Sequence, residues 1–342
     1  MFGGMNPVDG FSPLRIKEVV RETRDALSLV LDIPETEQRR FTYQAGQFLT
    51  LRVTVGGQEY RRCYSMSSSP ALQQDLRVTV KRDGAGVVSN WLNDHVAPGD
   101  QIEVAAPAGR FVRSDSDREL IAFAGGSGIT PVYSLIQTVL AAAGRARLLY
   151  ANRAAESVIF ADALAGLADR HEDRFVLQHH LDAEQGVVTA EIITEFLGAT
   201  DDVAGADYYV CGPAPFMDTV EKVLLSAGVP ADQLFLERFS AAPVPVDDEV
   251  PVTEEVTIEL DRQTVTVGYR AGNTLLQTAR MAGLKAPSSC ETGSCGTCIA
   301  QVTEGSARLL NNDALDDDEI AEGFVVTCQA LPTSRTIRFV YE

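Results

Sequence analysis

Three cysteines stand close together in PSSCETGSCGTCIA, residues 287–300, and this stretch decides the interpretation of the C-terminal part of the chain. They are Cys290, Cys295 and Cys298, and a fourth, Cys328, follows in VVTCQA. With six cysteines among 342 residues, the chain is not a small disulfide-rich domain. The N-terminus, MFGGMNPVDGFSPLRIKE, has no basic segment followed by an apolar one. We therefore expect a cytoplasmic protein whose thiols are free or bind a metal.

The spacing of the four cysteines distinguishes between metals. Structural zinc sites usually have two close pairs, whereas here C-x4-C-x2-C is followed by a single distant cysteine. That is the spacing of a plant-type 2Fe-2S cluster, which transfers one electron at a time. Gly293 and Gly296 give backbone N–H groups room to approach the cluster sulfur atoms. The sequence predicts four ligands to this cluster: Cys290, Cys295, Cys298 and Cys328.

The charge of the chain limits its partners. The net charge is -19, and an acidic surface repels nucleic acids and anionic membranes, so we expect neither as a partner. Residues 241–342 hold 16 acidic and 7 basic side chains, and residues 1–240 hold 32 and 22. The tail is therefore the more acidic part per residue. No stretch approaches the roughly 18 to 20 apolar residues needed to span a bilayer. We expect a monomer.

The pattern of predicted strands and helices divides the chain into three blocks and a linker. Residues 11–112 contain short alternating strands with glycine turns, which predict an antiparallel β-barrel. In residues 113–240 strands alternate with helices, which predicts an α/β domain with a doubly wound parallel sheet. Residues 241–255 are rich in proline and acidic residues and are interpreted as a linker. Residues 256–342 form a small α+β unit that carries the cysteine loop.

The first block contains a possible flavin site. RRCYSMSSSP, residues 61–70, includes the pattern R-x-Y-S, in which Arg62 can bind a pyrophosphate, Tyr64 offers a flat face and Ser65 can hydrogen-bond a ring edge. DGAGVVSNWL follows, where Gly86 to Ser89 open a helix whose N–H groups attract phosphate. A strand end and an N-capping serine would give the same letters. The two motifs together inside a barrel favour a flavin.

The second block contains two glycine turns that suit a nicotinamide nucleotide. In AFAGGSGITPVYSLI, residues 122–136, three glycines let the backbone approach a pyrophosphate at a helix N-terminus: Gly125, Gly126 and Gly128. The motif is not G-x-G-x-x-G, so a plain strand-to-helix turn remains an alternative. YYVCGPAPFM, residues 208–217, ends a second strand at Cys211, Gly212 and Pro213. Cys211 either packs against a nicotinamide ring or is a buried apolar residue.

Four motifs in this order, R-x-Y-S, G-x-x-S, GGSGITP and CGPAPFM, resemble the ferredoxin-NADP reductase superfamily. With the C-terminal cysteine loop, residues 11–342 resemble the reductase components of bacterial oxygenases. The resemblance implies FAD, NADH and a 2Fe-2S cluster in a β-grasp ferredoxin domain. It also implies a terminal oxygenase, of the Rieske type, as electron acceptor. The alternatives are a flavin and iron–sulfur redox sensor or binding module, or a reductase for a di-iron epoxidase or another acceptor.

The resemblance also assigns residues to each site. The flavin is expected to contact ten residues: Arg62, Tyr64, Ser65, Val80, Lys81, Gly86, Val87, Val88, Ser89 and Phe239. Hydride transfer is expected beside Ser65, Cys211 and Glu237. The nicotinamide nucleotide is expected at Gly125, Gly126, Gly128, Thr130, Asn152, Arg153, Cys211, Gly212 and Pro213.

The choice between NADH and NADPH depends on the residues after the second strand of the α/β block. Arg153 could accept a 2′-phosphate. No second basic residue follows before Arg170, and Asp162 adds repulsion. The sequence therefore favours NADH over NADPH.

Overall fold

The computed structural model describes residues 10–84, 86–198, 203–239, 253–288, 293, 295–312 and 314–341. The chain divides into two compact units, residues 1–239 and residues 240–342. No helix in these described ranges is long and apolar enough to cross a membrane.

The N-terminal part of the first unit is a curled antiparallel sheet. Its six strands are β1 (Phe11–Thr23), β2 (Ala26–Asp32), β3 (Phe48–Val55), β4 (Gln58–Ser65), β5 (Arg77–Lys81) and β6 (Gln101–Ala105), and helix α1 is Val87–His95. They lie in the order β4-β3-β6-β1-β2-β5. The two edges meet because Met66, just after β4, pairs with Val78 of β5. Alternating apolar residues such as Leu14, Leu29 and Leu51 fill the interior, as the alternating sequence pattern predicted.

The second part of the first unit is a parallel sheet between helices. Its strands are β7 (Glu119–Gly125), β8 (Ala146–Asn152), β9 (Phe175–Leu181), β10 (Ala206–Cys211) and β11 (Leu234–Glu237). Its helices are α2 (Ile129–Ala141), α3 (Ala161–Arg170), α4 (Asp182–Gln185), α5 (Ala190–Leu197) and α6 (Ala214–Ser226). The order is β11-β10-β7-β8-β9, and buried side chains pack on both faces. Central strands such as β8 are buried throughout, as covered parallel strands must be.

The second unit is a mixed sheet with two short helices. Its strands are β12 (Glu255–Leu260), β13 (Gln263–Gly268), β14 (Ile299–Glu304), β15 (Ala307–Leu309), β16 (Phe324–Val326), β17 (Ala330–Pro332) and β18 (Thr336–Val340), and its helices are α7 (Leu275–Met281) and α8 (Asp317–Ala321). Five strands form the sheet β13-β12-β18-β14-β16, in which β12 and β18 are parallel. The α7 N-terminus is fixed by a capping box of Thr274 and Gln277. Most of the predicted linker, residues 241–252, lies outside the described residues.

Candidate functional site

The curl of the barrel brings the predicted flavin residues together. Because Met66 pairs with Val78 and Ser67 N donates to Arg77 O at 2.8 Å, the end of β4 lies against β5. Tyr64 and Ser65 thus stand beside the β5 segment that includes the predicted residues Val80 and Lys81. β4 and β5 follow one another along the chain but stand at opposite ends of the strand order, so they approach each other only because the sheet curls closed.

Arg62 and Tyr64 differ in their exposure. The Arg62 side chain is exposed, with its guanidinium carbon 5.8 Å from the Tyr60 ring centroid, so it is accessible to a phosphate. Burial raises the pKa of the Tyr64 hydroxyl well above its usual range, so Tyr64 is neutral at any working pH. The exposed Arg62 cation suits the phosphates of a flavin nucleotide, and the neutral Tyr64 ring suits its flat ring system.

Ser65 and Glu237 form a buried pair that joins the barrel to the parallel sheet. The Ser65 hydroxyl donates to Glu237 Oε2 at 3.2 Å, and the two residues are 3% and 6% exposed. Glu237 ends β11 directly beside Cys211 at the end of β10. The structure thus places together the three residues expected at the hydride-transfer position. Phe239 follows two residues later and is 39% exposed.

The turn before α1 has the form of a phosphate site. A Cβ atom on Gly86 would lie 2.9 Å from Asp83 Cβ and would collide with the Ser89 hydroxyl, so a side chain there would require Asp83 and Ser89 to move. The Asp83 N–H donates to Ser89 Oγ at 3.2 Å, which fixes the loop ahead of the helix. Val88 is buried whereas Val87 is 45% exposed. The first N–H groups of the helix are available to an anion.

The two glycine turns meet at the carboxyl edge of the parallel sheet. The chain leaves β7 toward β8 on one side, whereas β10 lies on the other side of β7, so their ends form a topological switch point, where such sheets bind ligands. A Cβ on Gly128 would lie 2.7 Å from Gly212 N and closer still to the Cys211 carbonyl. A Cβ on Gly125 would lie 2.7 Å from Pro213 Cδ. The turns therefore touch through their backbones.

Three further side chains shape the first turn. Gly126 has a φ of +53°, and its carbonyl accepts a hydrogen bond from the Tyr150 hydroxyl at 3.0 Å. A Cβ on Gly126 would be 3.7 Å from Lys81 Nζ, so the β5 lysine reaches the turn of the other domain. The Thr130 hydroxyl donates to Ser127 O at 3.1 Å and closes the turn from within. Tyr150 was not among the predicted site residues, because a tyrosine within an apolar strand gives no functional signal in the sequence.

The end of β8 carries an unsatisfied polar side chain. Asn152 is 4% exposed, and neither atom of its amide has a hydrogen-bond partner within the described ranges. Buried amides without partners are rare and costly, so a ligand that supplies donors and acceptors is the natural complement. Arg153, the next residue, is exposed.

In the second unit, Cys298 and Cys328 are buried, at 2% and 5% exposure, in an apolar cluster with Leu276 and Val326. Both the N–H and the hydroxyl of Thr327 donate to the Cys298 carbonyl, at 3.1 and 2.8 Å. This links the two cysteine segments, which are far apart along the chain.

The other two cysteines of the motif are Cys295 and Cys290. The Cys295 thiol lies 3.2 Å from Thr297 Oγ1, and Cys290 lies outside the described residues. Within the described ranges, no three His, Cys, Asp or Glu side chains are grouped closely enough to form a metal site. The cysteine loop needs its glycine at 293, because Gly293 has a φ of +88° and its Cβ would lie 2.7 Å from Asn311 O.

The residues present fit the groups that the sequence implies. The Gly86 turn has the form of a cradle for phosphate, and the buried Asn152 amide offers a donor and an acceptor at the carboxyl end of β8. Buried thiols suit iron better than hard oxygen-seeking cations.

Comparison with protein families gives three matches along the chain. An oxidoreductase FAD-binding domain matches residues 13–112, and an oxidoreductase NAD-binding domain matches residues 122–222. A 2Fe-2S iron-sulfur cluster binding domain matches residues 258–333. These matches bear out the predicted cofactors and the three-part fold, with a β-barrel, an α/β domain and a ferredoxin domain.

Similar proteins match the whole arrangement. The 3-ketosteroid-9-alpha-monooxygenase, ferredoxin reductase component, of Mycobacterium tuberculosis is 40% identical over 96% of this chain and 95% of its own. A component of the 1,2-phenylacetyl-CoA epoxidase of Escherichia coli is 32% identical over 96% of each chain. The structure of phthalate dioxygenase reductase superimposes with a TM-score of 0.68 at 26% identity, over 97% of this chain and 98% of that one.

Proposed function

Because the chain belongs to the family of flavin and iron–sulfur reductase components of oxygenase systems, we propose that it carries electrons from NADH to a Rieske-type terminal oxygenase. The order of transfer is NADH, FAD, 2Fe-2S cluster and then the oxygenase. FAD supplies the change from a two-electron hydride to single electrons, and the cluster supplies the one-electron exit.

One observation carries the proposal: the buried Ser65–Glu237 pair lies at the junction of the barrel and the nucleotide edge, beside Cys211. A nicotinamide held by the two glycine turns would reach the flavin strand at this junction. Transfer of a hydride between two stacked rings needs no nucleophile, so the chain contributes position and exclusion of water. Ser65 and Glu237 hold hydrogen-bonding groups at the reacting edge, and Cys211 forms an apolar wall.

The other predicted residues hold the two nucleotides. Arg62 and the helix start at Gly86–Ser89 bind the FAD phosphates, Tyr64 lines the ring, and Val80, whose side chain is buried in the barrel core, contributes the backbone of β5 behind it. Gly125, Gly126, Gly128 and Thr130 form the pyrophosphate turn, with Lys81 as a nearby cation and Gly212 and Pro213 opposite. Asn152 and Arg153 meet the adenosine ribose, and Phe239 covers the flavin. The four cluster ligands are Cys290, Cys295, Cys298 and Cys328.

The nucleotide preference follows from charge. A 2′-phosphate would meet one exposed guanidinium, Arg153, and the carboxylate of Asp162 at the start of α3. We therefore expect a higher kcat/KM with NADH than with NADPH. Arg153→Ala should lower the rate with NADPH more than the rate with NADH, and equal losses would contradict this assignment.

The electron acceptor is inferred from the relatives. Their names include monooxygenase reductase components and an epoxidase component, so a di-iron epoxidase is the second candidate acceptor. A monomer in the cytoplasm suits a carrier that must meet both a soluble nucleotide and a partner protein. Co-purification with a protein that contains a Rieske centre would support the first acceptor, and co-purification with a di-iron protein would support the second.

The order of transfer is tested by measuring flavin reduction by NADH separately from electron delivery through the cluster. Cys295→Ser should keep NADH-dependent bleaching of the flavin and lose rapid reduction of cytochrome c, because the exit through the cluster is broken. Cys63→Ser is the matched control, since Cys63 lies in the barrel next to Thr50 and outside the cysteine loop. If Cys295→Ser reduced cytochrome c at the wild-type rate, the proposed order would be wrong.

A further inference from the structure

A group of buried side-chain hydrogen bonds joins helix α2 to the barrel segment Ser67–Ser69. The Ser134 hydroxyl donates to Ser68 O at 2.6 Å, and Gln137 Nε2 donates to Ser67 O at 3.1 Å. Two hydroxyls complete the contact, since Thr138 Oγ1 lies 2.7 Å from Ser69 Oγ. We refer to these bonds as the α2 clasp.

The clasp residues are buried except Thr138, which is half-buried. Ser134 is 0% and Gln137 is 4% exposed, and Ser67, Ser68 and Ser69 are all below 3%. Gln137 is held from the other side as well, because its Oε1 accepts a hydrogen bond from Gln74 Nε2 at 3.0 Å. Polar residues are uncommon on the buried face of a helix, and here each of them binds a specific atom of the barrel.

The clasp connects the two segments on which hydride transfer depends. Helix α2 begins at Ile129, immediately after the Gly125–Gly128 turn. The barrel segment begins two residues after Ser65, at the end of the strand that bears Tyr64. Both segments are short and continuous with their sites, so a shift of α2 along the barrel moves the nucleotide turn relative to the flavin strand.

The barrel side of the clasp is itself anchored. Ser67 Oγ lies 2.8 Å from Thr79 Oγ1, which lies 2.7 Å from Ser28 Oγ. The Ser28 hydroxyl donates in turn to Glu22 Oε1 at 2.5 Å. This row of hydroxyls crosses β5 one residue before Val80, so the clasp is fixed to the strand behind the predicted flavin ring.

We propose that Ser134 and Gln137 are positioning residues for hydride transfer: they set the distance and angle between the nicotinamide turn and the flavin strand. The inference rests on the proposed transfer of a hydride from NADH to FAD. The reaction is sensitive to such positioning, because a misplacement of about 1 Å can cost about 100-fold in rate. Nucleotide affinity depends on the turns themselves, whereas the clasp side chains bind atoms of the barrel segment. Loss of the clasp should therefore affect the rate of transfer more than binding.

The experiment uses the full chain with FAD and cluster, mixed anaerobically with NADH while flavin absorbance is followed. Ser134→Ala and Gln137→Leu should each lower the limiting rate by about 10-fold, with the apparent Kd for NADH within about threefold of wild type. Both should also weaken the long-wavelength charge-transfer absorbance that NAD+ gives with reduced flavin. That readout reports ring stacking and does not depend on turnover.

A matched pair of threonines provides the control. Thr138 and Thr219 each donate to the carbonyl four residues earlier in a helix, at 2.8 Å in both cases. Thr138 also meets Ser69 across the domain junction, whereas the Thr219 hydroxyl bonds within α6. Thr138→Val should lower the limiting rate, and Thr219→Val should leave it unchanged. Because valine has the shape of threonine, this pair stays informative even if Gln137→Leu folds poorly.

The possible outcomes separate the inference from the function on which it rests. If the wild-type protein shows no bleaching by NADH, the proposed function fails and the inference with it. If the wild type is bleached and all three clasp variants keep its limiting rate and charge-transfer band, only the inference is overturned. A higher apparent Kd for NADH in the three clasp variants, with an unchanged limiting rate, would also overturn it, because the clasp would then serve nucleotide binding.

Discussion

Gly128→Ala should impair nucleotide reduction of the flavin through the contact between the two turns. Gly128 has a φ of −62° and a ψ of −10°, which alanine adopts without strain. The effect of the substitution therefore comes only from steric overlap of the added Cβ. The new Cβ would stand 2.7 Å from Gly212 N, below the 3.0 Å that real Cβ atoms keep, with the Cys211 carbonyl closer still. The obstacles are backbone atoms, so one turn must move away from the other.

The size of the effect follows from that movement. Overpacking of this kind costs about 1–3 kcal/mol of stability. A displacement approaching about 1 Å at the nucleotide turn lowers the rate of hydride transfer by up to about 100-fold. Anaerobic stopped-flow mixing with NADH measures the rate, and thermal unfolding measures the stability. In contrast to the clasp variants, Gly128→Ala should raise the apparent Kd for NADH as well, because the turn itself is deformed.

Gly166→Ala is the control for this substitution. Gly166 lies in α3 of the same domain, and its Cβ would meet only the flexible end of Arg170, at 3.2 Å from Nη1. Alanine there should stabilise the helix by about 1 kcal/mol and leave the kinetics unchanged. If Gly128→Ala bound and oxidised NADH like the wild type, the close approach of the two turns would have no role in the reaction.

Three further predictions concern other parts of the site. Ser65→Ala and Glu237→Gln should each slow flavin reduction by about 10-fold or more, and a double-mutant cycle should show less than additive losses, because the two side chains share one hydrogen bond. Independent effects would argue against a shared role. Asn152→Leu should stabilise the nucleotide-free protein by about 1–3 kcal/mol in calorimetry and weaken NADH binding, since it removes a buried amide without partners; a lower midpoint with unchanged binding would contradict this. Tyr341→Phe should destabilise the ferredoxin unit by about 1 kcal/mol in urea, followed by cluster absorbance, because its hydroxyl donates to Thr327 at 3.0 Å. An unchanged urea midpoint would show that this hydrogen bond contributes no stability.

Short-range features of the site were predictable from the sequence. The glycine turn at Gly125–Gly128, the helix start at Gly86 and the cysteine spacing each depend on residues within about a dozen positions, where steric limits act directly. Strand and helix alternation likewise predicted the parallel sheet. The carboxyl ends of its strands then had to share one edge.

Contacts between distant segments were not predictable from the residues alone. Glu237 gives no signal in FLERF, and its place beside Cys211 follows from the register of β11 on β10. Ser134 and Gln137 look like minor polar breaks in the apolar helix PVYSLIQTVLA, and only the folded chain shows the carbonyls that they bind. Thr327 likewise gives no signal beside Cys328, although its hydroxyl holds the Cys298 carbonyl. Such bonds join residues 29 to 172 positions apart, beyond the reach of local patterns.

Two energetically unfavourable features lie at the end of β8 and in the connection after it, at the edge of the sheet where the nucleotide is expected. Phe160, in the connection that leaves β8 at this edge, is 5% exposed and has a φ of +64°, a conformation that costs a bulky residue about 1–3 kcal/mol. Its ring stacks on Tyr133 of α2 at 4.6 Å, which holds the strained turn against the helix of the clasp. In the described ranges, the other non-glycine residues with positive φ are exposed and lie in turns. Asn152, with its unpartnered amide, ends the same strand. A strained residue and an unsatisfied polar group thus both stand at or after the end of β8, and neither feature helps the chain to fold.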